Sequence, residues 1–195
     1  TSNGLIVKRP KFFVDAERKL KLLQQRVSRK QLGSNNWRKA QARVQKLHEY
    51  IANRRQDWHW KLAHQLCDRV GAVFVEDLNL TGLARAMLGK HCLDASWGQF
   101  FQILEQCCFK LGVFLMKVDS RKTSQICPNC GHETGKKDLS ERTHHCSNCG
   151  YVTDRDVAAA QVVLSRGCAA VGHTVKMLSE GKVVGLPLMK ESPVF

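Results

Sequence analysis

The chain has 195 residues, 43% of them hydrophobic, enough for one or one and a half domains with a genuine core. Its 31 Lys and Arg against 17 Asp and Glu leave a formal charge of +14, which points to a polyanionic partner, nucleic acid ahead of an anionic membrane. No apolar run is long enough to span a bilayer and no signal peptide opens the chain, so a membrane-embedded or secreted protein is not expected.

The first residues are Thr1-Ser2-Asn3-Gly4, with no initiator Met. Asn3-Gly4 followed by the apolar Leu5–Val7 reads as one arm of a hairpin, an edge strand whose partner lies upstream in a longer polypeptide. From Pro10 the period becomes helical. Phe13, Ala16, Leu20, Leu23 and Val27 form one stripe, with Asp15 and Glu17 at the end where the helix dipole favours acids. Gly33-Ser34-Asn35-Asn36 breaks it, with Asn36 as the expected N-cap. A second stripe runs Trp37, Ala40, Val44, Leu47 and Ile51, continuing less regularly through Trp58, Leu62 and Leu66. The two seams predict an antiparallel helical hairpin over residues 10–70. Thirteen basic residues and two acids lie between Lys8 and Lys46. A solvated helix face is the plain explanation, but so lopsided a run fits phosphate tracking better, with Arg26, Arg29, Lys30, Arg38, Lys39, Arg43 and Lys46 as the candidate contacts. Trp58 and Trp60 are assigned to packing rather than to bases.

Gly71–Val75 is a β-branched and aromatic run typical of a buried strand, ending in Glu76-Asp77. A carboxylate there either meets solvent, caps the next helix or holds a metal. Thr81–Asp94 lacks periodicity and is expected to be a loop or lid. Ser96 then caps a helix through Leu111, Gly112 ends it, and Val113–Val118 is a second buried strand. A strand, a helix and a strand in series (71–118) form a crossover unit, and hence an α/β sheet.

Cys127-Pro128-Asn129-Cys130 and Cys146-Ser147-Asn148-Cys149 are two Cys-x-x-Cys knuckles fifteen residues apart, each followed by Gly (Gly131 and Gly150). This is zinc-ribbon spacing: four thiolates for one tetrahedral Zn²⁺, with no open position and so a structural role. His132, His144 and His145 are read as hairpin or nucleic-acid-facing residues. Cys67, Cys92, Cys107, Cys108 and Cys168 sit in apolar patterns and behave as buried thiols. They call for a reducing compartment, a cytoplasm or a nucleoid.

Residues 154–164 predict a helix with Ala158, Ala159, Val162 and Val163 on its apolar side, opened by Asp154 and Asp156. These acids suit an N-cap and a first-turn dipole residue; with Glu76 they also suit a two-metal phosphoryl-transfer site. Local sequence leaves both readings standing. The residues from Gly167 onward are Gly-rich and weakly patterned, and loose packing is expected of 167–195.

Val75-Glu76-Asp77-Leu78-Asn79, Thr123-Ser124-Gln125-x-Cys127 and Asp154-Arg155-Asp156-x-x-Ala159-Ala160, in that order and behind a basic helical hairpin, resemble the C-terminal part of TnpB. These are OrfB-type proteins of bacterial insertion sequences, related to the type V CRISPR effectors. The resemblance runs from about Gly4 to Arg166. It implies an α/β, RuvC-like (RNase H-type) domain, incomplete at its N-terminus, with a basic helical hairpin insertion and an inserted zinc ribbon. On that basis residues 1–122 belong to the RuvC-like part, 123–153 to the ribbon, 154–166 to the final RuvC-like helix and 167–195 to a tail. It implies RNA-guided DNA cleavage with Mg²⁺ as the catalytic ion, DNA and guide RNA as partners, and no small-molecule substrate. Glu76 matches the family's second catalytic acid, Asp156 the third, and Asp154 is a supporting acid. Cys127, Cys130, Cys146 and Cys149 match the ribbon ligands. Two departures stand out. Ala158 replaces the usual Asn, a change expected to loosen either the helix start or a contact beside Asp156, and the Gly-x-Asp-x-Gly strand bearing the first catalytic Asp has no counterpart. Whether the chain is itself an enzyme is therefore open. A catalytically incomplete remnant or non-cleaving nucleic-acid binder is the alternative, and a free zinc-ribbon module of a translation or transcription assembly a weaker one.

Overall fold

A computed structural model describes residues 1–68, 70–85, 89–138, 140–172 and 182–186. They divide into two compact units, one formed by Thr1–Lys8, Ala63–Asn79 and Glu105–Phe195, the other by Arg9–Leu62 and Leu80–Leu104.

The second of these units is helical. Helices α1 (Glu17–Ser28) and α2 (Asn35–Cys67) follow the two stripes, and the last turn of α2 belongs to the other unit. Phe12, Leu20, Val44, Leu47 and Ile51 are buried together, with Phe13, Ala16, Leu23, Val27 and Trp58 packed around them. The apolar stripes thus bury against each other, which is what stabilises two amphipathic helices in water. The cap of α2 is Ser34, whose Oγ accepts from the Trp37 N–H at 3.2 Å, rather than the expected Asn36, which already lies inside the helix. The stretch expected to be a loop or lid holds two short helices, α3 (Leu80–Arg85) and α4 (Gly89–Ala95). Asp94, at the end of α4, explains the order there. Its side chain is 1% exposed, lies 3.4 Å from Arg9 and 3.3 Å from Arg55, and accepts the Phe13 N–H at 2.7 Å. A buried carboxylate persists only when paired in this way.

The other unit contains a parallel three-stranded sheet in the order β2-β1-β5, made by β1 (Val70–Asp77), β2 (Phe114–Asp119) and β5 (Lys182–Leu186). Helix α5 (Trp97–Leu111), preceded by Ser96 and ended by Gly112 at φ +67°, lies between the parallel strands β1 and β2 in sequence, as expected from the pattern; its residues up to Leu104 belong to the helical unit. Ala72, Val73, Phe74 and Val75 are buried, as befits a central strand of a parallel sheet. Helix α6 (Arg155–Val171) packs on β1, β2 and β5. Gly167 makes this possible, because a Cβ there would stand 2.3 Å from the Phe74 ring. Ala72, Phe74, Val118 and Val163 form a buried cluster at this contact.

Asn3-Gly4 forms the turn that the sequence indicates, with the Gly4 N–H 3.1 Å from the Thr1 carbonyl, and Leu5–Val7 pair with none of the described strands. One expectation changes here. Within the stretch expected to be loose, residues 167–171 complete α6 and Lys182–Leu186 form β5. Residues 173–181 and 187–195 lie outside the described residues.

Candidate functional site

The ribbon is built from two knuckles with the same backbone. The Gly131 N–H donates to Cys127 O and the Cys127 N–H to His132 O; the Gly150 N–H donates to Cys146 O and the Cys146 N–H to Tyr151 O, all at 2.9 Å. Gly131 and Gly150 turn the chain at φ +74° and +73°, where a Cβ would be strained. The four sulfurs lie within 4.8 Å of one another, with Cys127–Cys149 at 3.7 Å and Cys130–Cys146 at 3.6 Å. A Zn–S bond of about 2.3 Å in a regular tetrahedron requires sulfurs about 3.8 Å apart, so these thiols fit a Zn²⁺ ion. A disulfide needs about 2 Å.

Polar groups around the thiols favour their ionised form. Asn129 Nδ2 reaches across to Cys149 Sγ and Asn148 Nδ2 to Cys130 Sγ, each at 3.6 Å. The Cys130 thiol is held down at about 6, by the His132 N–H first and then by Asn148. Cys149 is lowered by Asn129 and the Tyr151 N–H, whereas burial pushes Cys127 up to about 11.

Strands β3 (Thr143–His145) and β4 (Val152–Asp154) close the ribbon as an antiparallel pair. His144 is fully buried in this hairpin, with Lys137 Nζ 2.7 Å from its Nδ1. An ammonium only donates, so Nδ1 accepts and the ring is neutral. Burial, then the Lys137 charge, lowers the His144 pKa. Of the two roles open to His144, the structure takes the hairpin one. Arg155, 2% exposed, ties the ribbon to α6: Nη1 donates to Asp138 O at 2.7 Å and its N–H to Arg142 O at 2.8 Å.

Asp154 is the N-cap of α6. Its Oδ1 accepts the N–H groups of Asp156 at 2.8 Å and Val157 at 3.2 Å. The helix start is therefore firm despite Ala158, which is buried in the helix's inner face. Asp156 occupies the first turn. Glu76 is half-buried at the C-terminal end of β1. Thr123, in a short 3₁₀ turn at Thr123–Gln125 that packs against α6, donates its Oγ1–H to Glu76 Oε1 at 2.7 Å. Glu76, Asp154 and Asp156 thus share one unit, on elements packed together. Among the described residues the four thiols are the only group of three or more potential ligands within 4.8 Å, so the acids do not form so tight a cluster.

The seven candidate phosphate contacts flank the α1–α2 turn. Arg26, Arg29, Lys30, Arg38, Lys39, Arg43 and Lys46 are all exposed, and none is in an ion pair among the described residues. The first turn of α2 carries no acid, so its dipole adds to their positive field.

Comparison with known proteins gives a consistent answer. Residues 1–87 match the OrfB_IS605 family, described as "Probable transposase", and residues 97–163 the Cas12f1-like TNB domain. The chain is 34% identical over 98% of its length to the "Putative RNA-guided DNA endonuclease" of Streptomyces pristinaespiralis. It is 29% identical over 97% of its length to "Putative RNA-guided DNA endonuclease InsQ" of Escherichia coli K12. TnpB-like protein L79 of Acanthamoeba polyphaga mimivirus matches 70% of the chain at 26% identity, over 27% of its own length. The chain is a TnpB-type protein.

This TnpB-type chain spans about half the length of the first two relatives, 48% and 50%. Its α/β fold is like that of a Cas12f1 solved in complex with guide RNA and target DNA, with a TM-score of 0.55 at 18% identity over 77% of this chain and 41% of the other. No described helix is long and apolar enough to cross a membrane.

Three features of the candidate site were not visible in the sequence. The Thr123–Glu76 bond, the crossed Asn129 and Asn148 donors and the Arg155 tie each join residues from different local segments. The available signals were Thr123 heading a family motif and an Asn repeated at the third position of both knuckles.

Proposed function

We propose that this chain is the C-terminal catalytic part of a transposon-associated RNA-guided DNA endonuclease, cutting DNA by metal-dependent phosphodiester hydrolysis on a RuvC-like frame. The observation that carries the reading is one unit holding Glu76 at the end of a central parallel strand and Asp156 in the first turn of the helix packed on that strand. Both side chains offer oxygen ligands, which suits a hard divalent ion such as Mg²⁺. Two such ions, when bound, supply activation of the attacking water and stabilisation of the leaving oxygen. The chain's own part is orientation. Asp154 pins the backbone under Asp156, and Thr123 fixes an oxygen of Glu76. The ribbon takes Zn²⁺ through Cys127, Cys130, Cys146 and Cys149 as a structural element. Arg26, Arg29, Lys30, Arg38, Lys39, Arg43 and Lys46 neutralise phosphates of guide RNA or target DNA, with sequence choice left to base pairing.

In the protein assembled with its RNA, Glu76→Gln and Asp156→Asn each abolish Mg²⁺-dependent cutting of matched DNA while leaving the Kd for that DNA within about threefold. Either variant retaining wild-type cutting rules the reading out. A non-cleaving binder, which the exposed basic row also suits, predicts salt-sensitive binding by the wild type and no metal-dependent cutting.

A further inference from the structure

We propose that Thr123 is a positioning residue for the Glu76 carboxylate, setting the rotamer in which Glu76 meets the metal; this deepens the nuclease reading and rests on it. The hydroxyl has one proton and two oxygens in range, Glu76 Oε1 at 2.7 Å and the Ser120 carbonyl at 3.3 Å. The shorter contact, to the carboxyl oxygen, takes the proton. A half-buried Glu has three rotatable bonds, and losing that freedom on metal binding opposes coordination. Thr123 is 5% exposed and β-branched, so its own χ1 is confined and its hydroxyl is a fixed point.

The surrounding backbone is braced to keep it there. Lys122, just before it, sits at φ +57°, a left-handed conformation that strains a non-glycine residue and persists only where neighbours impose it. Ser120 Oγ donates to Asp77 O at 2.9 Å, joining the end of β2 to the end of β1. Arg166 of α6 donates through Nη1 to Asp119 O at 2.6 Å and Arg121 O at 2.8 Å. The helix that carries Asp156 therefore also holds the loop that aims Glu76. Both acids are referred to a single scaffold element.

The test compares wild type, Thr123→Val, Thr123→Ser and Glu76→Gln, each assembled with the RNA that co-purifies and a DNA duplex matched to it. Single-turnover cutting is measured against Mg²⁺ concentration, with DNA Kd and Tm read on the same samples. Removing an orienting partner of a metal ligand typically costs 10–100-fold. Thr123→Val is expected to lower the cutting rate or raise the half-saturating Mg²⁺ by roughly tenfold or more, with Kd and Tm unchanged. Thr123→Ser, which keeps the donor, is expected to stay within about threefold of wild type. Should Thr123→Val lose its Tm, Thr123→Ala, too small to clash, gives the same comparison. Wild-type behaviour of Thr123→Val at every Mg²⁺ concentration, with Glu76→Gln inactive, overturns the positioning role alone. Equal damage in Thr123→Ser and Thr123→Val overturns it too, since packing then explains the loss. Cutting by Glu76→Gln, or none by wild type, removes the nuclease reading and this proposal with it.

Discussion

Asp154 and Asp156 stand two residues apart on the same helix end, and the proposed site gives them different tasks. Asp154 spends its Oδ1 on two backbone N–H groups, and Asn performs that service nearly as well as Asp. Asp154→Asn should therefore leave stability and cutting close to wild type, and Asp154→Ala should cost about 1 kcal/mol in urea unfolding. A total loss of cutting in Asp154→Asn with unchanged stability would show that Asp154 is a metal ligand instead. In the ribbon, Asn129 and Asn148 each donate to a thiol of the opposite knuckle. Asn148→Ala should weaken zinc affinity roughly tenfold or more in a competition titration against a chromophoric chelator. Unchanged affinity would mean that the four sulfurs suffice. The four-thiol cluster was legible because Cys-x-x-Cys spacing is local, each pair being delivered by one turn. The asparagines were legible as residues but not as donors, because their partners lie 20 and 18 positions away.

Helix α6 is the element on which the sheet unit depends. Gly167 rests on the buried Phe74 ring with no room for a methyl group. Gly167→Ala gains helix propensity but overpacks the core, and a net loss of about 1–2 kcal/mol is expected from denaturant unfolding. A stabilised variant would mean that the helix and strand separate easily. The sequence marked α6 by its Ala and Val spacing yet read Gly167 as the start of a loose tail, because glycine usually signals a break and the packing partner is 93 positions back. The same kind of reason hid α3, α4 and β5. Short helices containing Gly82 and Gly89 show no usable period, and β5 is defined by pairing with β1 rather than by its own residues. The longer elements were readable in outline: α2, α5 and β1 fall where their patterns indicate, whereas α1 begins only at Glu17, with Phe13 and Ala16 of its stripe in the turns before it, and β2, expected to be buried, buries only Val118. The buried Asp94 escaped for the converse reason, its compensating Arg9 and Arg55 being far away in sequence.

For the molecule as a whole, pH and metal ions are the informative variables. His59, 1% exposed and in contact with the Ala95 carbonyl at 3.1 Å, has its pKa lowered from 6.5 to about 4, chiefly by burial. The folded state thus keeps it neutral while the unfolded chain takes up a proton below 6.5. Its contribution is complete above pH 6.5 and declines as pH falls towards 4. His59→Gln, which retains an N–H donor without titrating, should show a shallower loss of Tm over that window; parallel curves would exclude His59 as the cause. The central claim, that Glu76 and Asp156 serve one metal site, is tested most directly by anomalous scattering from Mn²⁺ in a crystal of the protein bound to RNA and DNA. The account predicts Mn²⁺ held by carboxylate oxygens of both residues at about 2.1–2.2 Å, close to the Mg²⁺ distance. Mn²⁺ bound elsewhere, with both carboxylates devoted to protein partners, would contradict it.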